Sequence, residues 1–417
     1  MPAPADLWRG HLAAARWFQG KGLPLGSLSL RDLPWYVCDG DVWVRSELAS
    51  AQVGDTSETY HLLVGYLPTG LGEPEALIGQ TDLPGRGLTD VVDATRSPRA
   101  MRALLAALVA PHSPVTWLEA PPAPDSPTEV FAGEQSNTTV RIGDDVLFKV
   151  FRRLDPGPNI EAGMLSALSR SGITPRLIGM LSAPDGSSHL GLFTQRIPRA
   201  RDGWVHCVDA CRGGQPVGDE MAALGATLRR LHGRLADVYG ASRVDGAEIT
   251  SHMLSRLDAA CEQVPDLDHL RAPLREILDL TGTSVDVQRV HGDFHLGQAL
   301  ISPAGWTIID FEGEPLKSPA ERAAPDAVWR DVAGLLRSLD YARHAHPAPD
   351  GAAARRRYTA ARAAFLDGYL ADAELPLAML TAYEVDKAIY ELVYETRNRP
   401  SWAHIPRHAI EEAVGAG

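Results

Sequence analysis

Cysteine is scarce in this chain: only Cys38, Cys207, Cys211 and Cys261 occur among 417 residues. Four cysteines in a chain of this length do not form the disulfide framework of a small secreted domain. Cys207 and Cys211 could supply half of a metal site, but the sequence offers no second Cys/His pair to complete it. We therefore expect ordinary thiols, buried or at the surface.

Long apolar runs are also missing. The N-terminal segment has no apolar core of signal-peptide length, and Arg9 and Arg16 interrupt it. No stretch approaches the roughly 20 apolar residues that cross a bilayer. These absences predict a cytoplasmic protein without a membrane partner.

Positive charge is in deficit, since 40 Lys and Arg residues face 53 Asp and Glu residues and leave a net charge of −13. Such a chain is poorly suited to a nucleic-acid backbone, so we expect no nucleic-acid partner. The length predicts two or three structural units rather than a single core.

The first part of the chain, residues 1–90, reads as a short helix followed by alternating strand-like runs. Within it, Pro68–Gly87 is rich in Gly and Pro and predicts turns and loops. The second part, residues 91–197, begins with a helical stretch. It continues with a hairpin in which Gly143-Asp144-Asp145 joins the runs TTVRI and VLFKVF. A helix from Ile160 and a strand ending near residue 197 complete this part.

The third part, residues 198–417, is predominantly helical. Apolar residues recur there at intervals of three and four, as on one face of a helix: Met221, Leu224, Leu228, Leu231 and Leu235. Two β-like fragments, residues 287–290 and 306–309, interrupt the helices and predict a β-hairpin inside this part. The order of elements indicates an α+β fold.

The segment HGDFHLGQ (291–298) and the following WTIIDFEGEP (306–315) carry the clearest chemical signal. Phosphoryl transfer to a hydroxyl needs a carboxylate that orients the acceptor and takes its proton, together with oxygen ligands for Mg²⁺. Asp293 and, five residues later, Gln298 have this spacing, and Asp310 follows the next predicted strand. Either aspartate alone is usually a turn residue that caps a hairpin, but both together with the amide favour the kinase interpretation.

A kinase also needs a lysine for the α/β-phosphates and a helix glutamate that fixes it. Lys149 lies inside the apolar run VLFKVF, where a buried ammonium requires a counter-charge. Glu161 lies twelve residues further on, at the start of the next predicted helix. The alternatives are an edge-strand lysine that faces solvent and a glutamate that interacts with the helix dipole alone.

The glycine-rich loop of protein kinases is absent, because no G-x-G-x-x-G precedes Lys149. Its place is taken by GEQSNTTV (133–140). Ser136, Asn137 and Thr138 could bind phosphate through side chains and backbone N–H groups. The alternative is an ordinary polar turn.

These motifs, together with AARWFQGKG near the start, FKVFRR, and YELVYETRNRPSW near the end, resemble those of bacterial maltokinases and the related actinobacterial glucosamine kinases. The resemblance implies a bilobal protein-kinase-like fold of the aminoglycoside-phosphotransferase type. It divides the chain into an N-terminal cap (1–90), an intermediate nucleotide-binding lobe (91–197) and a helical C-terminal lobe (198–417). ATP and Mg²⁺ are the implied cofactors.

The same resemblance implies the roles of single residues. It makes Asp293 the catalytic base, Gln298 and Asp310 the Mg²⁺ ligands and Lys149 the phosphate-binding lysine. It also implies an adenine hinge near Gln195 and Ile197. The stretch from this hinge to the helix at Glu220 is shorter than in maltokinases, which favours a smaller sugar than maltose.

The segment YEVDKAIYELVYETRNRPSW (383–402) predicts a sugar site. It combines planar polar groups with aromatic faces, and carboxylates favour an ammonium group on the sugar. We expect Asp293 and the following residues to hold the sugar: His295, Glu312, Tyr390, Glu391, Glu395, Arg397 and Trp402. The alternative is a solvated amphipathic helix with a tyrosine core stripe.

The sequence thus predicts an ATP-dependent sugar kinase, acting as a monomer, that phosphorylates the 6-hydroxyl of glucosamine. A maltokinase that forms maltose 1-phosphate and an aminoglycoside phosphotransferase are alternatives within the same enzyme class. A nucleotide-binding scaffold without activity is the alternative from another class, and intact Asp293 and Lys149 disfavour it.

Overall fold

The computed structural model describes residues 4–18, 20–21, 23–54, 56–131, 136–314 and 317–415. The chain forms two compact units. The first comprises Met1–Ser169 and Pro175–Pro198, and the second comprises Arg170–Thr174 and Arg199–Gly417. Within the described ranges, no helix is both long enough and apolar enough to cross a membrane.

The first unit contains two antiparallel sheets. Its helices are α1 (Pro4–Ala14), α2 (Pro98–Leu108) and α3 (Ile160–Ala167). Its strands are β1 (Leu25–Asp39), β2 (Val42–Val53), β3 (Thr56–Pro68), β4 (Leu77–Leu83), β5 (Gly87–Asp93), β6 (Val115–Trp117), β7 (Thr128–Val130), β8 (Thr138–Ile142), β9 (Val146–Val150), β10 (Arg153–Leu154), β11 (Leu177–Ser182) and β12 (His189–Gln195). One sheet has the order β1-β2-β3-β5-β4, and the other has the order β6-β11-β12-β9-β8-β7.

Local sequence explains the main elements of this unit. Ser97 caps α2 by accepting a hydrogen bond from the N–H of Ala100, and Pro98 occupies the first helical turn. Gly143, with φ of 57°, supplies the left-handed turn that closes the β8–β9 hairpin. The first sheet buries a cluster of large aromatic side chains, among them Trp8, Trp17, Phe18, Tyr60 and Tyr66.

Arg152 and His61 join the two sheets within the first unit. The buried Arg152 guanidinium donates to Asp93 Oδ2 (2.8 Å) and to Thr138 Oγ1 (2.8 Å). His61 is fully buried, and its Nδ1 donates to the carbonyl oxygen of Phe151 at 3.0 Å while Nε2 contacts Ser46 Oγ at 2.6 Å. Strand β10 also pairs with β3, so the two sheets are connected through backbone as well as side chains.

The second unit is predominantly helical. Its helices are α4 (Gly203–Gly213), α5 (Gly218–Tyr239), α6 (Gly246–Gln263), α7 (Arg271–Ile277), α8 (Pro319–Ala323), α9 (Trp329–Arg343), α10 (Ala352–Leu370), α11 (Leu377–Asn398) and α12 (His404–Gly415). Its strands are β13 (Arg201–Asp202), β14 (Ala241–Asp245), β15 (Ser284–Gln288), β16 (Ala299–Ser302) and β17 (Gly305–Ile308). They form a three-stranded sheet, β13-β16-β17, and a two-stranded sheet, β14-β15.

Two sequence predictions about secondary structure need correction. Pro68–Gly87 is not all turn and loop, because it contains β4, which pairs with β5. The glycines and prolines around β4 conceal a short strand that is stabilised by its pairing partner rather than by its own propensity. The hairpin of the helical unit is β16–β17, whereas the fragment at 287–290 overlaps β15 and pairs with β14.

Burial of His61 predicts a pH-dependent stability. Burial, with a smaller contribution from the Arg152 guanidinium, lowers the pKa of His61 to about 3 from 6.5. Between these values the unfolded chain binds a proton that the folded chain does not, so stability falls as the pH falls from about 6.5. In His61→Gln, the loss of unfolding free energy between pH 7 and pH 5 should be smaller by about 2 kcal/mol.

Urea unfolding followed by tryptophan fluorescence at the two pH values measures this difference. His252→Gln, which changes an exposed histidine on α6, is the control and should show the wild-type pH dependence. Equal losses in wild type and His61→Gln would contradict the prediction.

Candidate active site

The segment 291–298 lies between β15 and β16 and is fixed by its apolar residues. Phe294 and Leu296 are buried, while the side chain of Asp293 is 21% exposed. Gly292, with φ of 87°, takes a left-handed conformation that other residues rarely adopt. The chain thus buries alternate side chains of this segment and presents the Asp293 carboxylate.

Asp331 on α9 anchors the start of this segment. Its fully buried carboxylate accepts hydrogen bonds from the N–H of His291 (2.7 Å), from the N–H of Gly292 (2.8 Å) and from His232 Nε2 (2.9 Å). His232 Nδ1 in turn contacts the hydroxyl of Tyr369 at 2.8 Å. Burial alone would raise the pKa of Asp331, but the hydrogen bond and charge of His232 and the backbone N–H groups hold that pKa below its usual value.

Asp310, which follows β17, lies beside Gln298, which precedes β16. Gln298 Nε2 donates to Asp310 Oδ2 at 3.0 Å, and the N–H of Ile309 donates to the carbonyl oxygen of Gln298. Asp310 has φ of 63°, a left-handed conformation that aspartate tolerates better than most residues at a modest energetic cost. A carboxylate oxygen of Glu312 lies within 4.8 Å of one of Asp310. Carboxylate and amide oxygens are the donors that Mg²⁺ prefers, so these residues fit a magnesium ion.

Lys387 on α11 makes two ion pairs beside this segment. Its Nζ lies 2.8 Å from Glu314 Oε1 and 3.4 Å from Asp293 Oδ1. Burial alone would lower the pKa of Lys387, but the two carboxylates raise it well above its usual value. For the Glu314 carboxyl, burial alone would raise the pKa, but the charges of Lys387 and Lys317 hold that pKa below its usual range. The sequence predicted neither the ion pairs of Lys387 nor a role for Glu314.

An open pocket of about 600 Å³ lies next to Asp293 in the helical unit. Six of the residues predicted to hold the sugar line it: Asp293, His295, Tyr390, Glu391, Glu395 and Trp402. Glu312 and Arg397 are not among the lining residues; Glu312 lies beside Asp310, and Arg397 is exposed. The sequence analysis missed other lining residues, notably Trp204, Tyr341 and Arg399.

The carboxylates of this pocket already have cationic partners. Glu391 accepts from Arg337 Nε at 2.9 Å, and Glu395 accepts from Arg399 at 2.6 and 2.8 Å. Burial raises the pKa of Glu391 more than Arg337 lowers it. Trp402 stacks on Tyr341 with a ring separation of 5.9 Å, which places aromatic faces along one wall. The pocket therefore combines flat apolar surfaces with charged hydrogen-bonding groups.

In the first unit, the structure brings Lys149 and Glu161 together. Lys149 Nζ on β9 lies 2.9 Å from Glu161 Oε2 in the first turn of α3, and both side chains are buried. Asn159 caps α3 by accepting a hydrogen bond from the N–H of Ala162, and Glu161 lies in the first turn of the helix. Pairing with Glu161 offsets part of the desolvation cost of the buried lysine and fixes its positive charge in place.

The other residues predicted for the nucleotide site also belong to the first unit. Ser136 is exposed, whereas Asn137 and Thr138 are buried and accept hydrogen bonds from Arg152. The GEQ part of the predicted phosphate loop, 133–135, lies outside the described residues. Gln195 ends β12 and accepts from Arg176 at 3.2 Å, and Ile197 is half-buried two residues later.

Family comparisons agree with this geometry. The model of the Phosphotransferase enzyme family matches residues 127–366, and that of the Maltokinase N-terminal cap domain matches residues 11–96. The chain belongs to the Phosphotransferase enzyme family, as the motifs predict. It is an ATP-dependent phosphotransferase with a hydroxyl acceptor, and its family uses the predicted cofactors, ATP and Mg²⁺.

Two curated relatives carry the description glucosamine kinase. One, from Streptacidiphilus jiangxiensis, is 31% identical over a match 320 residues long, and this match covers 67% of this chain and 72% of the relative. The other, from Mycolicibacterium smegmatis (strain ATCC 700084 / mc(2)155), is 25% identical over a match 316 residues long, which covers 68% of this chain and 79% of the relative.

Solved structures share the fold. A glucosamine kinase in complex with glucosamine, ADP and inorganic phosphate has a TM-score of 0.67 and 23% identity, covering 99% of both chains. A second crystal form of a glucosamine kinase has a TM-score of 0.71 and 24% identity, covering 99% of this chain and 100% of the other. The predicted fold class is therefore confirmed, including the N-terminal cap and the helical C-terminal region.

The Asp331 anchor predicts a coupled loss of stability and activity. In Asp331→Asn, the amide presents N–H groups where the carboxylate accepted three hydrogen bonds, so a buried donor loses its partner. The expected cost is about 1–3 kcal/mol of unfolding free energy, and kcat should fall about a hundredfold because Asp293 is displaced.

Thermal unfolding and steady-state kinetics measure the two effects. Tyr369→Phe is the control, because it removes only the hydroxyl that contacts His232 Nδ1. It should reduce both the unfolding free energy and kcat by less than Asp331→Asn does. Wild-type kcat in Asp331→Asn would contradict the anchoring role.

Proposed function

We propose that the chain is a glucosamine kinase that transfers the γ-phosphate of ATP to the 6-hydroxyl of D-glucosamine. The observation that carries this proposal is the position of Asp293. Its carboxylate lines a sugar-sized pocket and belongs to the same short segment as Gln298, which is hydrogen-bonded to Asp310. A base, a metal-ligand pair and an acceptor pocket are the components that phosphoryl transfer to a hydroxyl requires.

Asp293 is the proposed general base. The Asp331 anchor fixes the backbone at His291 and Gly292, and Lys387 contacts one carboxylate oxygen. The carboxylate then orients the acceptor hydroxyl and accepts its proton as the phosphoryl group is transferred.

Asp310 and Gln298 are the proposed metal ligands, and Glu312, beside Asp310, adds negative charge to their surroundings. When bound, Mg²⁺ neutralises charge on the phosphates. The left-handed backbone at Asp310 and the hydrogen bond from Gln298 hold the carboxylate ready for this role.

In the first unit, we assign Lys149 to the α- and β-phosphates, with Glu161 as its fixed partner. Ser136 and the backbone of Asn137 and Thr138 are the proposed phosphate contacts. Gln195 and Ile197 are the proposed adenine hinge. These roles assign a function to each of the three predicted parts: residues 1–90 are the cap, residues 91–197 bind the nucleotide, and residues 198–417 form the helical lobe with the sugar site.

The preference for an amino sugar rests on the charge of the pocket. Four carboxylates line it: Asp202, Asp293, Glu391 and Glu395. Lys387 and Arg399 in the lining, together with Arg337, the partner of Glu391, offset three of these charges, so an excess of one negative charge remains. An ammonium group gains from this excess, and aromatic faces suit the sugar ring. The two curated relatives described as glucosamine kinases support the same acceptor.

Maltose is the second candidate acceptor. The match to the Maltokinase N-terminal cap domain favours it, although a cap match alone carries no information about the sugar site. The cytoplasmic location and the monomeric state stay predictions from the sequence.

Asp293→Asn should fold normally, bind ATP and lose most turnover, because a positioned general base contributes roughly 10²–10⁴-fold. The rate of ADP release with glucosamine as acceptor measures the loss. Calorimetric measurement of ATP binding tests whether the nucleotide site is intact. More than about a tenth of wild-type kcat in the variant would exclude Asp293 as the base. A wild-type protein that releases no ADP with glucosamine would exclude the proposed acceptor.

The two metal ligands should respond differently to added Mg²⁺. Asp310→Ala should abolish activity at every Mg²⁺ concentration, because Mg²⁺ bound to the phosphates of ATP would then lack the protein carboxylate that fixes its position in the site. Gln298→Ala should raise the Mg²⁺ concentration needed for half-maximal rate, with partial recovery at high Mg²⁺. A magnesium titration of the initial rate measures both effects, and recovery of Asp310→Ala would refute the assignment.

A further inference from the structure

Lys387 is a largely buried cation in a position where packing alone does not require one. Its neighbours in sequence, Ala388 and Ile389, are buried apolar residues that pack α11 into the helical unit. The Lys387 side chain is 16% exposed, and its Nζ lies 4.9 Å from the ring centroid of Tyr390. Burying an ammonium is costly unless it is paired, so its partners indicate its purpose.

Glu314 compensates the charge of Lys387. One oxygen of this buried carboxylate lies 2.8 Å from Lys387 Nζ, and the other lies 3.0 Å from Lys317 Nζ. The two lysines differ in a useful way, because Lys387 reaches Asp293 at 3.4 Å and lines the pocket, whereas Lys317 does not line it. Substituting each lysine in turn therefore distinguishes the support of Glu314, which both lysines provide, from the contact with Asp293, which Lys387 makes.

The helix that carries Lys387 is itself firmly held. The preceding residue, Asp386, accepts two hydrogen bonds from Arg256, at 2.8 and 2.7 Å, and lies 3.9 Å from Arg330. A bidentate arginine–carboxylate pair fixes direction as well as distance. Lys387 thus contacts Asp293 from a fixed backbone rather than from a mobile surface side chain.

We propose that Lys387 is a positioning residue for the transfer step: its ammonium holds Oδ1 of Asp293 so that the carboxylate meets the acceptor hydroxyl in one orientation. The inference rests on the proposed function, in which Asp293 is the base. Lys387 acts through Asp293, so its removal affects turnover more than substrate binding.

A double-mutant cycle tests this dependence. Lys387→Met should lower kcat roughly tenfold to a hundredfold and change the KM for ATP little, since a charge-assisted hydrogen bond is lost. In the Asp293→Asn background, the same substitution should lower kcat by less than about threefold, because the carboxylate that it positions is already absent. A further loss of tenfold or more in that background would overturn the inference.

The matched control is Lys317→Met, which removes the other lysine of Glu314 and leaves the Asp293 contact in place. Its kcat should stay within about threefold of wild type. If Lys387→Met fails to fold, the variant Lys387→Met/Glu314→Gln, which leaves the net charge unchanged, takes its place in the cycle, because the buried Glu314 carboxylate then no longer depends on Lys317 alone. Equal loss of kcat in Lys317→Met and Lys387→Met would also overturn the inference, because support of Glu314 would then explain both.

The cycle separates this inference from the proposed function. A wild-type kcat in Asp293→Asn would refute the assignment of Asp293 as the base, and with it the positioning role of Lys387. A strongly reduced but measurable kcat in Asp293→Asn, with multiplicative losses in the double variant, would refute only the role of Lys387.

Discussion

The buried carboxylate of Asp331 is the interaction on which the helical unit depends. It accepts two backbone N–H groups at the start of the segment 291–298 and a ring nitrogen of His232, and no solvent reaches it. A buried charge is tolerated only when its hydrogen bonds are satisfied, so helix and loop must adopt one arrangement together. The orientations of Asp293 and, through the same loop, of Gln298 follow from that arrangement.

The sugar pocket extends the same principle. Each pocket carboxylate on α11 has an arginine partner, Arg337 for Glu391 and Arg399 for Glu395, and Lys387 spans Glu314 and Asp293. The Arg337–Glu391 and Lys387–Glu314 pairs are largely buried, so removing one partner is expensive and these groups are oriented before a sugar arrives; Arg399 is half exposed and is held less firmly. Rigid, oriented polar groups are what transition-state stabilisation requires, because they need no reorganisation during the reaction.

Sequence reasoning reached what local patterns encode. The spacing of Asp293, Gln298 and Asp310 along one loop and hairpin predicted their grouping, and the strand–helix order predicted the approach of Lys149 to Glu161. It could not find the contact between Asp331 and His291, which are 40 residues apart, or the Arg337–Glu391 pair, whose members are 54 residues apart. It assigned Glu312 to the sugar, which stays a prediction, and it did not find the pair of Glu314 with Lys387. In an irregular turn no periodicity fixes side-chain directions, so the sequence alone cannot assign separate contacts to glutamates two residues apart.

We propose that this family member phosphorylates an amino sugar at the hydroxyl that Asp293 activates. A one-vessel competition between equal concentrations of glucosamine and maltose, with limiting ATP and Mg²⁺, tests this proposal when the products are identified by ¹H–³¹P NMR. Phosphate on the 6-oxygen of glucosamine is the expected main product. Maltose 1-phosphate as the main product would refute the assignment of the acceptor.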